Sequence, residues 1–291
     1  MAQEAWGRWG AEDEAGAANL IGPAQVRLAA SLVRTGQVIR LDQVMSDRLP
    51  VPGHRAGLQH FMGRDGGDYA AGAKRPGGFQ FAEDTIVLPL HLGTHIDALC
   101  HAWCDDHLYN GFPGSTVRST TRALRCGVEK LPPLVTRGVL LDIVALRGAP
   151  LADGETISAD ELREAAARIG VTLRDGDAVL IRTGWLERQD AKRGVDFNAE
   201  PGIGVAAALF LAEAGVAMVG ADNFAIETLP FPSGTVFPVH QRLIRDYGIS
   251  LLEGAVLKGL AEAGAGEFLF MAAALPIAGA TGSPIAPVAV L

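Results

Sequence analysis

A domain that mixes helices and strands along its whole length is what this sequence predicts, and three observations predict it. The 291 residues suffice for one large domain or two modest ones, and 48% of them are apolar, enough for a substantial core. Helix-like and strand-like stretches are interspersed from end to end. Neither an internal repeat nor a low-complexity linker divides the chain, so residues 1–291 read as one unit.

Taken in order, residues 1–35 form an N-terminal extension. Its first twenty residues are polar apart from Trp6 and Trp9, which either cover a pocket or cap the core, and an acidic run spans residues 12–14. PAQVRLAASLVRTG reads as a helix opened by Pro23 and stopped at Gly36. QVIRLDQVM reads as a strand. A loop of about residues 49–82, containing GRDGGDYAAGAKRPGGF, has little periodicity; it is either a functional cover or a disordered surface insertion. His54, His60 and Phe61 within it read as surface or packing residues. DTIVLPLHLG then reads as a strand leading straight into a histidine cluster, and RGVLLDIVAL as a buried strand. ISADELREAAARIG is a capped helix, with Ser158 and Glu161 spaced as a capping box. DGDAVLIRTGW is a strand with a polar end. GVAAALFLAEAGVAMVGADN gives a helix, a turn at Gly215 and a short strand. HQRLIRDYGISLLEGAVLKGL gives a helix, a turn at Gly248 and a strand carrying Glu253. The tail FLFMAAALPIAGATGSPIAPVAVL is a strand, a glycine-rich turn and an edge strand.

Composition excludes several function classes. The formal charge is −8 and no Lys/Arg-rich run exists, so nucleic acid and anionic membrane have no electrostatic support as partners. The cysteines Cys100, Cys104 and Cys126 are too few, and odd in number, for a disulfide scaffold; a reducing, cytoplasmic setting is expected. MAQEAWGRWGAEDEAG lacks the basic and apolar regions of a secretory signal, and no uninterrupted apolar stretch reaches the roughly 20 residues of a membrane span. No GK[ST] loop, no GxGxxG after a first strand and no GxSxG elbow appear, which disfavours nucleotide cofactors and serine hydrolysis.

The chemistry concentrates in HLGTHIDALCH, residues 91–101. His91, His95, Asp97 and His101 are separated by even numbers, which on an extended strand places side chains on one face. A continuous helix would align His91 with His95 but turn Asp97 away, and Gly93, Thr94 and Ile96 disfavour it. Two imidazoles and a carboxylate suit zinc, manganese or ferrous iron. The competing reading is a set of hydrogen-bonded core histidines. A turn before His101 leaves its direction open. No CxxC pair marks a structural zinc site.

The same residues resemble the HxGTHxDxxxH signature of the cyclase-like metal hydrolases, a family that includes bacterial kynurenine formamidase, isatin hydrolase and a dienelactone hydrolase. The resemblance extends to VLIRTGW, to VGADNFAIET with Asp222, to VFPVHQRLIRDYGISLLEG with His240 and Glu253, to the tail GATGSPIAPVAVL, and to WGAEDEAGAANLI near the start, as in the family's longer members. It implies an α+β fold with a mixed β core, a swivelling β/β/α arrangement, in a homodimer or homotetramer. It implies one or two divalent ions, Mn or Zn, on His91, His95 and Asp97. His240 and Glu253 are implied as ligands of a second metal or as residues beside the metals, and His101 as the proton-transfer residue. The implied activity is opening of a cyclic or aryl amide, or a lactone, by metal-activated water acting on a small molecule. Arylformamide hydrolysis is the alternative, and a non-catalytic metal-dependent small-molecule binding protein is a third reading. Leu99 stands where shorter members commonly carry proline, which counts against a kynurenine-type substrate more than against the metal.

Other residues near the motif have two readings each. Cys100 or Cys104 beside His101 or His107 is either a nucleophile pair or buried filling, with Cys104 a candidate for the pocket lining. Trp103, His107 and Tyr109 are either an aromatic substrate wall or local packing. Trp185 belongs to pocket or core. Arg182 either meets a substrate carboxylate or makes a structural salt bridge, and Asp222 is a pocket candidate.

Overall fold

The computed structural model describes residues 5–73, 75–189 and 195–291. The first four residues of the N-terminal extension and Lys74 of the long loop lie outside them. Nine strands form one sheet: β1 (Val38–Arg40), β2 (His95–Asp97), β3 (Leu134–Asp142), β4 (Ala178–Arg182), β5 (Met218–Ala221), β6 (Ser250–Glu253), β7 (Glu267–Ala272), β8 (Gly282–Pro284) and β9 (Val288–Val290), in the order β1-β9-β7-β3-β4-β5-β6-β2-β8. Strands β3, β4, β5 and β6 run parallel to one another. The flanking pairs are all antiparallel. The fold is therefore α+β with a mixed sheet.

The central strands are buried along nearly their whole length, which explains their continuous apolar runs, VLL, AVLI and MV. Helix α1 (Pro23–Ala30) packs against β3. Helix α2 (Ala159–Arg168) connects β3 to β4, and α3 (Val205–Glu213) connects β4 to β5. The capping box of α2 forms as its sequence predicts: Glu161 N donates to Ser158 Oγ at 3.3 Å and Ser158 N to Glu161 Oε2 at 2.9 Å. Helix α3 buries Ala207, Ala208, Leu211 and Ala212, consistent with its almost wholly apolar sequence.

Several elements differ from their sequence reading. Helix α1 ends at Ala30 instead of running to Gly36, because residues 35 and 36 are drawn to the chain end, where both amides donate to the Leu291 carbonyl at 2.9 and 2.7 Å. The described residues of the long loop are not featureless. They hold a hairpin of Gln59–Arg64 with Glu83–Val87, and a short helix, Gly66–Ala70, capped by Asp65. The expected strand into the histidine cluster belongs to that exposed hairpin and ends at Val87; its apolar Ile86 and Val87 are more than half exposed. The segment after Phe237 forms a helical turn, Pro238–His240, then widens over Gln241–Asp246, where Tyr247 N reaches back five residues to the Arg242 carbonyl at 3.1 Å.

The N-terminal tryptophans cap the core. Trp6 Nε1 donates to the Arg245 carbonyl at 2.8 Å, and its ring lies under the Arg245 guanidinium. Asn110 fastens the same segment by donating to the carbonyls of Gly10, Ala11 and Asp13. No helix among the described residues is long and apolar enough to cross a membrane.

Candidate metal centre

Strand β2 is only three residues long, and it sits between β6 and β8. His95 and Asp97 share one face of it, while Ile96 points the other way into the core at 0% exposure. The extended stretch does not reach back to His91. Gly93, at φ +59°, turns the chain, and a side chain there would also press on Leu49 and Met45. His91 enters from this turn and places Nδ1 2.8 Å from Asp97 Oδ1. His101 enters from the turn after the strand, with Nε2 3.9 Å from Asp97 Oδ2 and its ring stacked on His91. The even spacing of the motif thus describes one strand pair and two turn residues that converge on it.

The second half of the chain completes the cluster. Glu253, at the end of β6, pairs with His95 in the sheet register, and its Oε2 lies 3.1 Å from His95 Nε2. His240 Nε2 is 3.2 Å from Glu253 Oε1 and 3.8 Å from Asp97 Oδ2. Two donor groups result, His91–Asp97–His101 and Asp97–His240–Glu253, with Asp97 in both. His95 contacts both carboxylates of the cluster.

The outer hydrogen bonds aim these donors inward. His95 Nδ1 is held by the Gly93 carbonyl at 2.9 Å, which leaves Nε2 for the cluster. His240 Nδ1 is held by Glu227 Oε1 at 2.7 Å, and Glu227 also accepts the amides of Val239 and His240. His91 Nε2 meets Thr281 Oγ1 at 3.0 Å, and a side chain on Gly282 would collide with the His91 ring.

The electrostatics are those of a buried ligand shell. Burial pushes the Asp97 carboxyl up, but His101, His91 and His95 outweigh it and hold the group well below the usual carboxylate range. Burial lowers His101 to about 4. Burial also opposes charge on His240, yet Glu227 and Glu253 raise it to about 10. Among the described residues five buried side-chain atoms lack a hydrogen bond, and four of them are His95 Nε2, both Asp97 oxygens and Glu253 Oε1. These atoms face oppositely charged neighbours at ion-pair distances without forming aligned hydrogen bonds, so their gathering in one place fits a divalent cation that coordinates them.

A family model described as "Putative cyclase" matches residues 28–228. The chain belongs to the cyclase family. This cyclase-family chain is similar to the crystal structure of a novel cyclase, with 37% identity, a TM-score of 0.90, and coverage of 98% of this chain and 97% of the other. It shares its fold with isatin hydrolase A from Ralstonia solanacearum at 24% identity and a TM-score of 0.66, covering 92% of this chain and 95% of that one. The fold likeness extends to a potential metal-dependent hydrolase with cyclase activity at 19% identity and a TM-score of 0.57, covering 87% and 98% of the two chains. Among curated proteins no match is found.

Beside its donor cluster the chain has a cavity of about 210 Å³. His91, His95 and Glu253 line it together with the aromatic residues Trp185, Phe197 and Phe224 and with a wall segment, residues 49–52, LPVP. Phe197 and Phe224 meet edge-on with centroids 4.8 Å apart. Gln43 lines the cavity as well, and its Nε2 donates to the Gly254 carbonyl at 3.0 Å.

Of the sequence's pocket candidates, Trp185 lines this cavity, and Trp103, Cys104, His107, Arg182 and Asp222 do not. Trp103 is 41% exposed and lies against Gly114. His107 is exposed, bonds the Asp105 carbonyl and tilts toward Trp6, so the Trp103–Tyr109 turn packs locally. Tyr109 is buried, and its hydroxyl donates to Asp13. Arg182 is spent on Asp142 and Glu187, which leaves nothing for a substrate carboxylate. Burial pushes the Cys100 thiol up to about 12, far from thiolate formation. Burial raises Cys104 too.

Asp222 is a structural bolt. It accepts Thr183 N, Thr183 Oγ1 and Gly184 N, each at 2.7 Å, and so fixes the turn that delivers Trp185 to the cavity. Asp222→Asn would set an amide N–H against the Gly184 N–H. The expected cost is about 3 kcal/mol, read from urea unfolding. An unchanged midpoint would show that the turn does not depend on this carboxylate.

Sequence reading missed Glu227, Thr281, Gln43, Phe197, Phe224 and the LPVP wall. Glu227 and Thr281 lie inside quoted family-like segments, yet Asp222 drew the attention that Glu227 merits. No local pattern marks LPVP as a cavity wall.

Proposed function

We propose that this protein is a metal-dependent hydrolase that opens a cyclic or aryl amide, or a lactone. The observation that carries the reading is the gathering of orphaned buried donors, His95 Nε2, both Asp97 oxygens and Glu253 Oε1, beside a cavity with an aromatic side. His91, His95, Asp97, His240 and Glu253 are the residues to hold manganese or zinc. Because Asp97 belongs to both donor groups, its carboxylate would help to hold an ion at either of them. When bound, such a cation acidifies a water and draws charge from a carbonyl oxygen. The likeness of fold to isatin hydrolases supports this class of substrate.

The overall reaction adds water across a C(=O)–N or C(=O)–O bond, giving a carboxylic acid and an amine or alcohol. Trp185, Phe197 and Phe224 hold the aryl part, and the LPVP wall excludes bulk water from it. His101 is kept neutral by burial, so its ring can take a proton from water and return it to the leaving nitrogen or oxygen. Glu227 keeps His240 in one tautomer, with Nε2 facing the centre.

Among the described residues no lysine or arginine lines the cavity. Metal analysis of the purified protein, followed by assay of isatin, formylkynurenine, cyclic imides and lactones with each reconstituted metal, tests the reading. Stoichiometric metal and turnover of a neutral cyclic compound are expected; a protein that takes up no metal refutes it. His101→Ala is expected to retain the metal and lose about 10²–10⁴-fold in turnover. Loss of metal in that variant would make His101 a ligand instead.

A further inference from the structure

One side chain ties the LPVP wall to the metal centre. Arg55 Nη1 donates to the His91 carbonyl at 2.6 Å, and its guanidinium lies over the Phe224 ring with Cζ 5.4 Å from the centroid. His91 and Phe224 both line the cavity, yet Arg55 itself does not. Its backbone amide donates to the Pro52 carbonyl at 2.9 Å, closing a turn that joins it directly to the wall. The wall's inner end rests on the motif: Leu49 Cδ1 lies 3.1 Å from where a Gly93 side chain would begin. No backbone hydrogen bond links residues 49–52 to the strands of the main sheet among the described residues. Its inner end is held by apolar contact and its outer end by one arginine.

We propose that Arg55 is a positioning residue that sets the enzyme's preference for aryl substrates by pinning the residue 49–52 wall against His91 and Phe224. The guanidinium makes two unlike contacts at once. Its N–H satisfies a carbonyl on the turn that carries a candidate metal ligand, and its face covers an aromatic ring that lines the cavity. The pin fixes the wall relative to that turn and that ring, so that a flat apolar ring meets a lining of one fixed shape. Arginine is suited to this where lysine is not, because only a planar, forked cation offers a stacking face together with an in-plane donor.

The selectivity part rests on the hydrolase reading above, while the pinning part does not, and the experiment separates them. Hydrogen exchange is measured on the full chain with manganese or zinc present, for the wild type, Arg55→Lys and Arg55→Ala. Amides of Leu49, Val51 and residues 53–56 are expected to exchange at least about 10-fold faster in Arg55→Ala, a shift of one decade or about 1.4 kcal/mol in local opening. Strand β3 should stay as protected as in the wild type. Arg55→Lys should fall between, since it keeps a donor and loses the face. Equal exchange of residues 49–56 in all three proteins overturns the proposal, whatever the activity. With isatin as substrate, KM should rise about 10-fold in Arg55→Ala while kcat changes less than about 3-fold. A fall in kcat at constant KM would overturn the selectivity role. If isatin is not turned over even by the wild type, exchange alone decides, and a failed hydrolase reading is then distinguished from a failed pin.

Discussion

Asp97→Asn is expected to empty the metal centre and lower turnover by at least about 10³-fold, roughly 4 kcal/mol of lost stabilisation. Asp97 is the one residue common to both donor groups, and it is completely buried. Asparagine keeps its volume and β2 keeps its pairing, so the loss comes from the carboxylate's charge and its second acceptor oxygen. Metal content after dialysis measures the first effect, and steady-state kinetics the second; a variant that holds stoichiometric metal would remove Asp97 from the ligand set. A second signature appears in the chelated protein. The neighbouring histidines hold the folded Asp97 pKa below its unfolded value, so its contribution to stability is present above about pH 4 and is lost as pH falls through the depressed folded value. Melting curves of chelated wild type should therefore drop on the acid side, and Asp97→Asn should flatten that drop.

Glu227→Ala is expected to weaken metal binding about 10–100-fold and to destabilise the chelated protein by about 2–4 kcal/mol. This carboxylate touches nothing in the cavity. It accepts His240 Nδ1 and the amides of residues 239 and 240, so its removal frees the imidazole to turn and leaves buried donors unpaired. The sign of the pH effect follows from His240, whose folded pKa is raised to about 10 with Glu227 as a main cause. The stabilisation is complete below about pH 6.5, the unfolded value, and is lost as pH rises toward 10. In Glu227→Ala that alkaline loss should shrink. Calorimetric titration with manganese or zinc, and thermal melts from pH 6 to 10, read both effects. Unaltered metal affinity would make Glu227 a fold residue alone.

The sequence disclosed some of this and concealed the rest for physical reasons. The parallel strands were legible because burial on both faces demands unbroken apolar runs, although RGVLLDIVAL overruns β3, which ends at Asp142 where a short helix, Ile143–Arg147, begins; α2 was legible because its cap is a local hydrogen-bond pattern. The hairpin from Gln59 to Val87 was hidden, since its exposed strands carry no period enforced by a core. At the site, His95 and Asp97 could be paired from spacing alone, because a strand fixes which side chains share a face. His91 and His101 sit in turns, where spacing says nothing about direction. Glu227 was unmarked because its link to His240 is a tertiary contact across an irregular turn. The wall at residues 49–52 owes its position to Arg55 and Leu49 contacts made far along the chain.

The two donor groups also lie far apart along the polypeptide, one in residues 91–101 and the other drawing on His240 and Glu253. A cation bound to both acts as a reversible cross-link that closes a loop of about half the chain. Such a bond can form only after β6 has docked beside β2, so the ion cannot seed folding; it locks a chain already assembled. Its stabilisation should therefore appear mainly as slower unfolding, with a refolding rate that is indifferent to metal concentration.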